Sequence, residues 1–114
     1  MKHRTRIATK IWLFLAMGSA AALLTGADAL AVAAPTVGIK EFKYAPTRLT
    51  VKPGTTVTWV NHDEEPHTVT SATGAFSSQG LANDETFTQT FTRVGTYEYF
   101  CALHPRMRAT VVVK

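Results

Sequence analysis

The chain has 114 residues and a single cysteine, with 12 Lys and Arg against 8 Asp and Glu for a net charge of +4. That length allows one small domain, and one cysteine excludes an internal disulfide. The excess charge lies at the start of the chain: residues 1–33 hold four of the 12 basic residues and one of the 8 acidic ones, so residues 34–114 carry 8 against 7 and give no basis for nucleic-acid binding.

The first predicted element is a leader. MKHRTRIATK is basic and free of acids, Ile11 to Leu24 is an apolar run of 14, and small residues follow up to Ala31-Val32-Ala33. This order reads as a secretory signal peptide spanning 1–33, cleaved near Ala33. The alternative, an uncleaved anchor, is disfavoured because a membrane span needs roughly 20 apolar residues and Asp28 interrupts the continuation. No adjacent arginine pair marks a twin-arginine route, and no cysteine near the cleavage region marks a lipoprotein. The expectation is an exported, periplasmic domain over residues 34–114, without stable membrane insertion.

After Ala34 the pattern is β throughout. VGIKEF and RLTVK read as short strands separated by KYAPT, and KPGTTVTWVN opens on a Pro-Gly turn and then alternates. Val57 and Trp59 face one side of that strand; Thr56, Thr58 and Val60 face the other. HTVTS is another short run, SATGAFSSQGLAND a long connection with at most a short strand around Phe76, and ETFTQTFT alternates aromatics with threonines. Gln89 falls on the face of Phe87 and Phe91; a sheet margin or a bulge would each accommodate it. GTYEYFC puts Tyr97, Tyr99 and Cys101 on one face, and ATVVVK closes the chain. Period-2 runs punctuated by Pro, Gly, Asn and Asp indicate an antiparallel sandwich or barrel.

The chemistry gathers in CALHPRMR. Cys101, His104 and Met107 are spaced Cys-x2-His-x2-Met on one tight loop between strands, with Pro105 stiffening the turn. His67 lies 34 residues earlier, after Pro66, and loops at one end of a sandwich can meet. Thiolate and thioether are soft ligands that suit copper(I), and imidazole suits both copper oxidation states. A His2Cys plane with a weak axial Met is an electron-transfer arrangement, whereas closed zinc sites do not use Met as a rule. An unpaired thiol in an oxidising compartment needs an explanation, which is intermolecular pairing, burial or an occupant, and a metal is one such occupant. His62 reads as part of the polar loop NHDEE, not as a ligand. Asp63, Glu64 and Glu65 read as an acidic surface knot; Arg106 and Arg108 read as a basic pair.

The segments CALHPRMRATVVVK and TVTWVNHDEEPHTV resemble the cupredoxins, small blue copper proteins. The gap between His104 and Met107 is similar to that of the amicyanin branch and shorter than in plastocyanins. The resemblance runs from about Val37 to Lys114 and implies an all-β, eight-stranded Greek-key β-sandwich with one type 1 copper ion, Cu(I)/Cu(II), near one pole. It implies His67, Cys101, His104 and Met107 as metal ligands, and Asn61 as the residue that ties the two ligand loops together. It also implies an electron carrier and not an enzyme: a monomer that docks transiently around His104 with larger redox proteins, its donor and acceptor. Arg106 and Glu65 replace apolar residues of the amicyanin docking rim, which argues against methylamine dehydrogenase as the partner. The rival readings are a copper chaperone or copper-buffering protein using the same ligands, and a metal-free immunoglobulin-like binding module.

Overall fold

The computed structural model describes residues 34–114, and the expected signal peptide lies outside the described residues. Eight strands follow in order: β1 (Thr36–Lys40), β2 (Lys43–Ala45), β3 (Arg48–Val51), β4 (Thr55–Asn61), β5 (Thr70–Ser71), β6 (Thr86–Phe91), β7 (Gly95–Phe100) and β8 (Arg108–Val113). They form two four-stranded sheets, ordered β2-β1-β4-β6 and β3-β8-β7-β5. Among the described residues no helix is long and apolar enough to cross a membrane.

The expected all-antiparallel pairing needs correction: β1 pairs with β4, and β3 with β8, in parallel. The chain leaves the first sheet after β2, passes through β3 in the other sheet, and returns beside β1 as β4. Alternation reports which side chains face the core, not which strand lies alongside. The separator KYAPT holds a strand of its own, β2, three residues long with only Tyr44 turned inward. VGIKEF ends early because Glu41 and Phe42 form the two-residue turn between the paired Lys40 and Lys43. HTVTS shrinks to β5, since His67 pairs instead as an isolated bridge with Leu81. The long connection is irregular, as expected, and Phe76 is buried within it.

Alternation builds the core. In β4 Val57, Trp59 and Asn61 are all buried. Trp59 is fully enclosed, with Tyr99, Phe87, Phe76 and Phe91 ring centroids 5.5, 5.7, 6.2 and 6.3 Å away. Ile39 and Val37 from β1 and Val111 and Val113 from β8 extend the same cluster. Gln89 sits at the sheet margin: β6 pairs with β4 alone, and its register runs unbroken from Thr55↔Phe91 to Val60↔Thr86, so there is no bulge. Trp59 Nε1 and Tyr99 Oη are buried without hydrogen-bond partners. Burial pushes the Tyr99 phenol up to about 12, against the opposing effect of the Trp59 indole.

Because Trp59 fills the space between the sheets, Trp59→Ala is expected to cost about 3–5 kcal/mol of folding stability. Urea unfolding followed by circular dichroism checks this; an unchanged midpoint would mean that the core closes over the gap.

Candidate metal centre

Cys101 follows the last residue of β7, and the loop from Cys101 to Met107 is closed by its own backbone. His104 N–H donates to Cys101 C=O (3.2 Å), Met107 N–H to His104 C=O (2.9 Å) and Cys101 N–H to Met107 C=O (3.1 Å). These bonds turn the chain back from β7 into β8 within a few residues. They hold Cys101 fully buried, Met107 buried and His104 partly buried. His67 comes from the other loop. It exchanges both backbone hydrogen bonds with Leu81 (3.1 and 2.7 Å), and its side chain is fully buried.

His67 Nδ1 lies 3.8 Å from Cys101 Sγ and His104 Nδ1 lies 3.7 Å from it; the three atoms fall within 4.8 Å of one another. Metal–nitrogen bonds of ~2.0 Å and a metal–sulfur bond of ~2.3 Å, opened to a trigonal angle, require an N···S separation of about 3.7 Å. The donor triangle therefore has the size of a metal's coordination plane. Met107 shares the loop with Cys101 and His104 and is buried. The donor chemistry, two imidazoles, a thiol and a thioether, fits copper.

The surroundings assign roles that the sequence left open. Thr68 N–H donates to Cys101 Sγ at 3.3 Å, and Thr68 Oγ1 accepts from Ala102 N–H at 2.7 Å. Thr68 thus ties the two loops together, the task expected of Asn61. Asn61 is corrected accordingly. Its carboxamide donates to Glu65 C=O and Leu81 C=O, both at 2.8 Å, and accepts from Asp63 N–H at 2.9 Å. It shapes the loop that carries His67 but makes no hydrogen bond to the cysteine loop, because it ends β4 in the opposite sheet.

Asp63, expected in an acidic surface knot with Glu64 and Glu65, has a side chain only 10% exposed. Oδ1 accepts from Glu41 N–H (2.7 Å); Oδ2 accepts from Phe42 N–H (3.0 Å) and from His67 Nε2 (2.8 Å). An ionised carboxylate can only accept, so His67 Nε2 is the donor in this bond, and Nδ1 is the nitrogen turned toward the thiol. Burial alone would raise the Asp63 pKa; the Phe42 and Glu41 amides and His67 together hold it below its ordinary 3.8. Glu64 and Glu65 remain exposed. His62 is outside the site, 4.0 Å from Asp84 at the surface. Tyr44 Oη donates to Thr68 C=O at 2.6 Å. Burial, then the nearby Cys101 and Tyr99, push that phenol well above its ordinary range, which keeps it a donor. Phe42, also unforeseen, places its ring 5.0 Å from His67 and 4.9 Å from His104.

The family model of the cupredoxin-like domain matches residues 7–113. Amicyanin of Paracoccus versutus is 40% identical over 83 residues, which cover 68% of this chain and 63% of that protein. The chain therefore spans less than two thirds of that relative's length. Amicyanin-alpha of Methylorubrum extorquens is 32% identical over 108 residues, 87% of this chain and 91% of that one. Among solved structures, a variant of amicyanin in the Cu(I) form superposes with a TM-score of 0.69 at 37% identity, covering 74% of this chain and 85% of that one. A purple cupredoxin from Nitrosopumilus maritimus gives 0.66 at 31% identity, covering 70% and 99%.

Asp63 has a lowered folded-state pKa, so the stability it contributes is complete above its ordinary 3.8 and fades as pH falls through the lower folded value. In the metal-free protein, Asp63→Asn is expected to cost about 1–3 kcal/mol near neutrality, and this cost should shrink as the pH is lowered toward about 2. Urea midpoints of both proteins across pH check it; a pH-independent difference would show that the carboxylate's charge plays no part.

Proposed function

The chain belongs to the cupredoxins, on the amicyanin/plastocyanin branch, and from that premise we propose that it carries single electrons with one copper ion held by His67, Cys101, His104 and Met107. The observation that carries this reading is the donor triangle, with its N···S distances of 3.7 and 3.8 Å. When bound, copper supplies a one-electron couple between Cu(I) and Cu(II), which a His2Cys plane with a weak axial Met serves. The remaining work belongs to the chain. Cys101 provides the thiolate, with the Thr68 N–H holding part of its charge. His67 is fixed by Asp63. Met107 is buried on the same loop and would offer its thioether as the weak fourth donor.

His104 is the ligand with partial exposure and is the electron port in this reading. Leu103 and Phe42 are exposed, Phe42 with its ring 4.9 Å from His104, and the two ligand loops carry the exposed charges Arg106, Glu64 and Glu65. Such charges raise association rates with complementary partners more than they raise affinity. The partners are larger redox proteins, a donor and an acceptor that dock transiently. Methylamine dehydrogenase is not the one favoured, since Arg106 and Glu65 charge the rim. The protein acts as a monomer in the periplasm after cleavage near Ala33. A copper chaperone would exchange its ion readily, which closed loop hydrogen bonds on both sides of the site do not favour.

Loading the protein with copper(II) is expected to give an intense thiolate charge-transfer band in the visible and a narrow copper hyperfine splitting in EPR. Cys101→Ser should abolish both. An ordinary tetragonal copper(II) spectrum from the wild-type protein would overturn the reading.

A further inference from the structure

We propose that Phe42 is a positioning residue for His104: a phenyl wedge, seated by Asp63, that fixes the orientation of the candidate ligand ring whose outer nitrogen has no protein hydrogen-bond partner among the described residues. The proposal rests on the reading that His67 and His104 are ligands.

Three observations carry it. The first is an asymmetry between the rings. A ligand imidazole ordinarily has its second nitrogen held by a carboxylate, a carbonyl or water. His67 has Asp63 in that place at 2.8 Å. Among the described residues no protein group hydrogen-bonds to His104 Nε2; its ring meets Cys101 Sγ through Nδ1 and otherwise packs against His67 and Phe42. The second is the ring geometry. Phe42 stands edge-on to both imidazoles, at 86° to His67 and 89° to His104, with centroids 5.0 and 4.9 Å away. Rotation of His104 would drive it into that ring.

The third is what the backbone gives up to put Phe42 there. Glu41 and Phe42 take φ of 54° and 58° in the two-residue turn between β1 and β2. Such turns favour Asn-Gly, because both residues are left-handed; a residue with a Cβ is penalised by roughly 1–2 kcal/mol at each position. Phe42 is also 41% exposed, so burial in the core does not account for it. Both strained amides donate to Asp63, at 2.7 and 3.0 Å. The same carboxylate thus orients one imidazole directly and the other through Phe42. Strain that the surroundings hold in place at a site is a recognised mark of function.

The test separates the wedge from the turn. The double variant Glu41→Asn/Phe42→Gly supplies the turn's preferred residues, so its metal-free fold should melt no lower than wild type, which guards against simple unfolding. In metal-free NMR, wild-type His104 should give sharp ring signals with nuclear Overhauser contacts to Phe42. In this variant and in Phe42→Ala the His104 signals should broaden or average, while those of His67, still held by Asp63, stay sharp. In the copper-loaded proteins, both variants should lose metal to a chelator at least about tenfold faster than wild type, and Phe42→Tyr should restore the wild-type rate. Unchanged His104 signals and an unchanged extraction rate in a well-folded Asn-Gly variant would overturn the proposal and leave Phe42 a turn residue. A wild-type protein without the thiolate band would sink the copper reading alone, and the metal-free NMR would still decide the wedge.

Discussion

The donation from Thr68 N–H to the Cys101 sulfur, at 3.3 Å, is the contact on which the site depends. It joins residues 33 apart in sequence, one beside a candidate ligand and the other a candidate ligand itself. The return bond from Ala102 N–H to Thr68 Oγ1, at 2.7 Å, makes the link two-point. Two bonds at fixed spacing define a rotation as well as a distance. They bring the His67 loop to the cysteine loop in one orientation, and the two Nδ1 atoms then lie 3.8 and 3.7 Å from the sulfur as the other corners of the donor triangle. A buried thiol with a hydrogen-bond donor aimed at it is also prepared to hold negative charge, which a purely apolar seat would resist.

Around this link the buried polar groups act as a framework. Asn61, His67 and Thr68 are all buried, and each is matched to backbone or side-chain partners. A polar atom buried without a partner costs ~1–3 kcal/mol, so such a network tolerates few alternative arrangements. The core behind it is looser in this respect: Trp59 Nε1 and Tyr99 Oη are both unpartnered. Their aromatic bodies fill the space between the sheets, and burial of that apolar area offsets the cost. The molecule therefore places its polar accuracy at the loop end and its bulk in the middle.

A donor triangle of metal-site size, held by the chain's own bonds, has a functional consequence. A carrier moves electrons fastest when its ligands shift little between oxidation states. Here the loop bonds, the Thr68 link and the Asp63 contact limit what can shift. The same rigidity disfavours ready release of the ion.

The sequence by itself determined the class of fold and the donor set. Period-2 runs such as Thr55–Asn61 report burial directly, because successive side chains in a strand point to opposite faces. The Cys-x2-His-x2-Met spacing reports chemistry directly, because its members lie on one loop. The sequence could not separate Asp63 from Glu64 and Glu65, or Asn61 from Thr68 as the tie between loops. It also read Glu41-Phe42 as the end of a strand. Those assignments depend on which residues from distant segments arrive at the same place. The parallel pairings of β1 with β4 and β3 with β8, and the carboxylate and phenyl that support the imidazoles, exist only after the sheets have packed. A hydrogen bond between residues 22 or 34 apart leaves no local periodicity, so only the tertiary structure could decide them.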